Sequence, residues 1–270
     1  MSSAMPAGGP PATAGAPTIQ VESVTVGYGS TVILADVSFE VARGEVFGIL
    51  GGSGCGKSTL LKSMIGLLEP LAGRVLIDNV DIARAQGEAR RTLLQRFGVM
   101  YQQGALFGSM TLLDNVRLPL EEYTQLPPDA IELVARMKLD LVGLAPAAEL
   151  MPAELSGGMR KRGAIARAMA LDPSILFLDE PSAGLDPVTS ADLDQLIVRL
   201  ARTLGITFVI VTHELASVFT VADRVVMLER EAKGIIASGN PHTLRDSSHN
   251  PKVRSFFRRL ASDAPNHTVL

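Results

Sequence analysis

One cysteine stands in 270 residues, so Cys55 has no partner for an internal disulfide. One thiol and four scattered histidines offer no zinc-ligand spacing either, and a reducing compartment fits best. A large excess of either charge is missing as well. A formal net charge of −3 gives no general attraction to nucleic acid or to an anionic membrane surface, and no nucleic-acid partner is expected. Long apolar runs are missing too: nothing approaches the roughly 18 residues that cross a bilayer, and the best stretch is ITFVIVT at 206–212. Any membrane role would have to be borrowed from another chain. Residues 1–17, MSSAMPAGGPPATAGAP, have no basic start followed by a continuous apolar stretch, so they read as a disordered tail and not as a secretory signal.

What is present is a chain with 47% hydrophobic residues, enough for a sizeable core. IQVESVTVGY and LADVSFEVARGEVFGILG read as strands with a tight turn at Arg43–Gly44, and STLLKSMIGLL begins a helix. From about 104 to 165 the pattern is mostly helical, with Asp129 expected to cap AIELVARMKLDLVGL, and this suggests an inserted helical subdomain. The β/α alternation returns with SILFLDE, the helix DPVTSADLDQLIVRLARTLG, the strand ITFVIVT and RVVMLER. In that helix Leu193, Leu196, Ile197 and Leu200 share one face, and Pro187 takes a permitted first-turn place. The expected architecture is an α/β core with a helical insertion.

The strongest local signal is GGSGCGKST, which spans Gly51, Gly52, Ser53, Gly54, Cys55, Gly56, Lys57, Ser58 and Thr59. It follows the apolar strand VFGIL and precedes a helix, the context a phosphate-binding P-loop requires. Its glycines let backbone N–H groups close around phosphate, Lys57 reaches the β and γ phosphates, and the Ser58 hydroxyl suits Mg²⁺. Cys55 reads as a tolerated small residue in preference to a redox sensor.

SILFLDE has the look of a buried parallel strand ending in two acids. Asp179 is suited to hold Mg²⁺ through water and Glu180 to polarise an attacking water; a capping pair for the next helix is the plainer alternative. His213 follows ITFVIVT and would emerge on the same edge, placed for a γ-phosphate contact. Gln102, after FGVMY, can offer its amide to Mg²⁺ or water, or simply be solvated. Tyr28 can stack on adenine or fill the core as a strand-end aromatic.

A second anion-binding helix entrance lies at LSGGMRKR, with Ser156, Gly157 and Gly158 before a basic stretch. Glycine costs roughly 1 kcal/mol inside a helix, so both belong at its start. One P-loop already cradles the phosphates of one ATP. Two copies facing head to tail would let each LSGG close over the other copy's nucleotide.

Taken together, GGSGCGKST, Gln102, LSGGMRKR, ILFLDEP, SAGLD and His213 resemble the nucleotide-binding subunit of an ABC transporter over about residues 18–245. The resemblance implies a P-loop NTPase core of ABC ATPase type, with an antiparallel β subdomain and an inserted helical subdomain. It implies hydrolysis of ATP with Mg²⁺, a C-terminal tail at 246–270, and a place at the cytoplasmic face of the inner membrane beside an integral membrane permease. Gln102 then links nucleotide to that permease, Asp186 in SAGLD sits at the dimer interface, His213 is the switch histidine and Tyr28 the adenine-stacking aromatic. Met159 followed by RKR, with YQQGALFGSMTLLDNVRLPL, LDEPSAGLDPVTS and NPKVRSFFRRL, is similar to the ATPases of Mla/Mce-type lipid transporters, which implies an Mce-domain lipid-binding partner. Importers of amino acids or other small solutes remain the alternative; a soluble ABC ATPase of translation or repair would usually carry two cassettes or zinc-binding cysteines. Leu106, Phe107 and Met110 look exposed beside Gln102, where the resemblance puts the permease groove, with core packing as the competing reading.

Overall fold

The structure, a computed structural model, describes residues 17–262. The expected N-terminal tail, apart from Pro17, lies outside that range, as do residues 263–270. Alternating apolar residues build the first hairpin. β1 (Pro17–Tyr28) buries Ile19, Val21, Val24 and Val26, and β2 (Thr31–Ala42) buries Leu34, Val37, Phe39 and Val41. A strand with one dry face shows this period of two. β3 (Val46–Gly51) is buried throughout and leaves the hairpin for a second sheet. β4 (Ala72–Ile77) and β5 (Val80–Asp81) complete the first sheet in the antiparallel order β2-β1-β4-β5.

The second sheet adds β6 (Phe97–Met100), β7 (Ile175–Asp179), β8 (Thr207–Thr212), β9 (Arg224–Glu229) and β10 (Gly234–Gly239), in the order β10-β9-β3-β8-β7-β6. All are parallel except β10, which runs against β9. This sheet is the middle layer. Ile175 and Phe177 of β7 pack towards the first sheet, whereas Leu176 and Leu178 pack into a core of helices. Burial on both faces explains why the strand reads as an unbroken apolar run.

Helices cover the sheets: α1 (Lys57–Met64), α2 (Gly87–Gln95), α3 (Leu112–Tyr123), α4 (Pro128–Leu141), α5 (Gly157–Ala168), α6 (Pro187–Leu204) and α7 (Leu215–Val221). All four apolar positions on the expected face of α6 are buried in the helical core. α5 packs on α3 and α4 and also on β6, so it belongs to the helical region and to the sheet at once. Asp129 does not cap α4: Pro127 holds that place, and Asp129 lies in the first turn. Pro127 and Pro128 pre-set the entry, while an acid one residue inside still complements the helix dipole.

Where described, the stretch expected as a tail from 246 is helical except at residues 248–250. α8 (Pro241–Ser247) and α9 (Pro251–Ser262) follow β10, and Val253 and Phe257, four apart on α9, bury against Leu50, Leu215, Val218 and Met227. Among the described residues no helix is long and apolar enough to cross a membrane.

Candidate functional site

Strand register assembles the site. Leu50 of β3 lies opposite Thr212 of β8, Val211 opposite Asp179 of β7, and Leu178 opposite Met100 of β6. The segments after these strand ends therefore leave the sheet side by side, where open parallel sheets bind ligands. They enclose a cavity of about 660 Å³ lined by Gly52, Ser53, Gly54, Lys57, Ser58, Gln102, Glu180 and His213, together with Phe256 of α9.

The loop before α1 owes its shape to Gly56, the residue ahead of the helix. Its φ is +103°, and a Cβ there would stand 2.8 Å from the Leu34 side chain. Lys57 is buried and folds back on the loop, donating to the carbonyls of Gly51 at 2.8 Å and Gly52 at 3.1 Å. Ser58 is exposed and Thr59 half-buried. Cys55 is packed in the core, and burial pushes its thiol up, so it stays protonated.

At the end of β7, Asp179 Oδ1 is buried without a hydrogen-bond partner. Burial first, and the neighbouring Glu180 second, push its carboxyl above the usual carboxylate range. Glu180 adopts φ +48°, the left-handed region that costs a non-glycine residue about 1–3 kcal/mol. Its N–H donates to Val211 O at 2.8 Å, and its Oε1 lies 2.9 Å from His213 Nδ1. A carboxylate acceptor places the ring proton on Nδ1. His213, expected as a phosphate contact, is thus joined directly to Glu180, and its side chain remains 55% exposed to the cavity.

Tyr28 is 51% exposed at the end of β1, which excludes the core reading. A second cavity of about 500 Å³ lies on the other side of the P-loop, lined by Thr31 to Ile33, Arg230 and Lys233 along with Gly56 to Thr59. Tyr28 stands three residues before this lining and is not part of it. Arg230 and Lys233 escaped the sequence reading. They arrive on the β9–β10 hairpin, fastened to β2 by Ala35 N–H donating to Lys233 O at 2.7 Å, and no local pattern announces that long-range pairing.

Ser156, Gly157, Gly158 and Asp186 form a separate group that lines neither cavity. Ser156 caps α5, its hydroxyl accepting from Met159 N–H at 3.2 Å. Gly158 has a second role, since a Cβ there would stand 2.4 Å from Thr189 Cγ2 at the start of α6. Asp186 caps α6, accepting from Val188 N–H at 3.1 Å and Thr189 N–H at 3.0 Å. The Thr189 hydroxyl bonded to it is the main reason its carboxyl is held below the usual range. Of the three apolar residues after Gln102, only Phe107 is exposed, with the Arg167 guanidinium 5.7 Å from its ring centroid. Leu106 and Met110 are half-buried, Leu106 against the helical core, which corrects the expectation for both.

The ABC transporter family matches residues 34–183, more than half of the chain. The chain belongs to this family. As an ABC ATPase subunit it binds and hydrolyses ATP. It is 44% identical over 239 residues to the probable ribonucleotide transport ATP-binding protein mkl of Mycobacterium leprae, a match that covers 88% of this chain and 68% of the relative. It is 40% identical over 247 residues to the intermembrane phospholipid transport system ATP-binding protein MlaF of Escherichia coli K12, covering 92% of this chain and 90% of that protein. Among solved structures, the ATP-binding cassette MJ0796, a dimer in a post-hydrolysis state with ADP and Pi, superposes with a TM-score of 0.73 at 30% identity, covering 82% of this chain and 98% of that one.

Proposed function

We propose that this ABC ATPase powers phospholipid transport between the membranes of a diderm bacterium, in the manner of the Mla/Mce systems. The observation that carries the reading is the near full-length match to MlaF, which spans 92% of this chain and 90% of that protein. The LSGGMRKR and NPKVRSFFRRL segments support it from the sequence. The mkl relative, named for ribonucleotide transport, favours a solute cargo as the second reading, but this chain spans only about two thirds of that protein's length.

In this proposal the P-loop backbone and Lys57 bind the nucleotide phosphates, and Tyr28 stacks on the base. Glu180, oriented by His213, takes the proton of the attacking water, a role worth typically 10²–10⁴ in rate. Mg²⁺ fits the residues present: Asp179 Oδ1 is a buried acceptor without a partner, and the Ser58 hydroxyl and Gln102 amide supply further oxygens. Among the described residues no three carboxylate, imidazole or thiol groups are arranged to hold a metal ion by themselves, so substrate phosphates would have to supply the remaining ligands. When bound, Mg²⁺ would neutralise charge on the β and γ phosphates. Ser156, Gly157, Gly158 and Asp186 face a second copy in a head-to-tail dimer. The dimer docks through the Gln102–Phe107 segment on a permease at the cytoplasmic face of the inner membrane, with an Mce-domain lipid-binding protein completing the complex.

The test is purification of the native complex followed by transfer of labelled phospholipid between vesicles. ATP-dependent transfer that stops with Glu180→Gln, while ATP still binds, is the expected result. An absent Mce-domain protein together with ATP-driven ribonucleotide uptake would transfer the assignment to the second reading.

A further inference from the structure

The basic run Arg160-Lys161-Arg162 after LSGG is not used by the function described above. Arg160 donates to Leu155 O at 2.5 Å and Arg162 to Val142 O at 3.4 Å, so both tie the helix to its own surroundings in the helical region. Lys161 does something different. It is only 7% exposed, and its ammonium leaves the helical region to donate to two carbonyls at the sheet edge, those of Gln102 and Glu180, the latter at 3.1 Å.

We propose that Lys161 is a positioning residue for ATP hydrolysis that acts through Glu180, holding its peptide in fixed relation to the LSGG helix with the Gln102 carbonyl as the second anchor. The inference rests on the assignment of Glu180 as the base. A buried ammonium is retained only where acceptors replace its water, and two of its three N–H groups find them here. The Glu180 acceptor belongs to the residue with the left-handed backbone at φ +48°. Its N–H is already held by Val211 O, so the Lys161 bond to its carbonyl secures the other side of the same residue. Such a conformation persists only when its surroundings over-determine it, and its consequence is the direction of the carboxylate towards His213. The Gln102 turn has a second attachment to the same helix. Arg167 donates to Ala105 O at 2.7 Å and to Gly104 O at 3.3 Å. A displacement of α5, whose entrance is Ser156, is therefore passed to Gln102 and Glu180 through hydrogen bonds and not through packing alone.

The alternative role for Lys161 is bulk compensation of the Asp179 and Glu180 carboxylates. Steady-state hydrolysis by the full chain separates the two. Lys161→Met is expected to lower kcat about tenfold or more while the KM for ATP stays within about threefold, and Lys161→Arg to recover most of the rate. The deciding measurement is the double-mutant cycle: in a Glu180→Gln background, Lys161→Met should cost less than about twofold further, because the group it positions is already disabled. Full multiplication of the two losses overturns the proposal, as does a kcat for Lys161→Met within twofold of the parent. Should Lys161→Met fail to fold, Lys161→Gln, an amide donor one bond shorter, goes through the same cycle, and a loss that persists in the Glu180→Gln background again rejects positioning. Glu180→Gln alone reports the underlying assignment. Undiminished hydrolysis in that variant rejects Glu180 as the base, whereas a slow Glu180→Gln beside a full-speed Lys161→Met rejects Lys161 only.

Discussion

Two helices of this protein, α1 and α5, open without an acidic residue in the first turn, and both entrances are rich in glycine. They differ in what stands opposite. Ahead of α1 there is no side-chain cap; the loop closes on Lys57, and Gln102, Glu180 and His213 face it across one cavity. Ahead of α5, Ser156 caps its own helix, and the nearest structured neighbour is the start of α6. A helix end supplies N–H groups and a modest dipole, worth about 0.3–1 kcal/mol when exposed, so it becomes a strong site only when another element closes over it. The sheet edge does this for α1. In the proposed dimer a second copy does it for α5.

The comparison breaks most visibly in mixed dimers. With every chain carrying Glu180→Gln, Lys57→Ala chains combined with Ser156→Arg chains rebuild one site from a normal Lys57 and a normal Ser156. One ATP per mixed dimer should be occluded, and none by either parent homodimer. Equal trapping in all three, with assembly intact, rejects closure by a second copy. Measured alone, Lys57→Ala should weaken ATP binding by about 10²-fold through loss of a charge-assisted contact; calorimetry giving an unchanged Kd removes the lysine from the site.

Smaller effects sharpen the contrast between the entrances. Gly56→Ala meets both a φ of +103° and a 2.8 Å contact with Leu34, so a loss of about 2–3 kcal/mol is expected in urea unfolding. Ser156→Ala removes only a cap, about 1 kcal/mol. A reversed order of the two would mean that the α5 entrance, and not the P-loop, is the more constrained. Phe107→Asp, on an exposed ring, should leave nucleotide affinity within about twofold, as surface substitutions do, while reducing recovery of the permease on affinity pulldown. Parallel loss of ATP binding points instead to a folding defect.

The P-loop was legible because its strand, loop and helix are contiguous, and each part has its own composition. Asp179, Glu180 and His213 were legible as strand ends, since an apolar run stopping at a polar residue marks where a parallel sheet meets solvent. The bond between His213 and Glu180 was not, because it crosses between neighbouring strands 33 residues apart. Lys161 looked like one member of a basic run; only the packing of α5 on the sheet separates it from Arg160 and Arg162. Arg230 and Lys233 depend on a hairpin that meets β2 across the fold. The packing of the C-terminal segment was not legible, because Val253 and Phe257 are sparse apolar residues among charges, and their partners on β3, α7 and β9 lie far away in the chain. Asp129 failed as a cap because two prolines had already decided where α4 begins.

The left-handed backbone at Glu180 also has an evolutionary side. At φ +48° glycine is the residue that position would choose on conformational grounds alone, and a single base change converts a glutamate codon into a glycine codon. If Glu180 serves as the proposed base, a change to the conformationally easier residue leaves a subunit that keeps its P-loop and loses that base. In the proposed mechanism an inactive, nucleotide-holding variant is therefore one mutational step away.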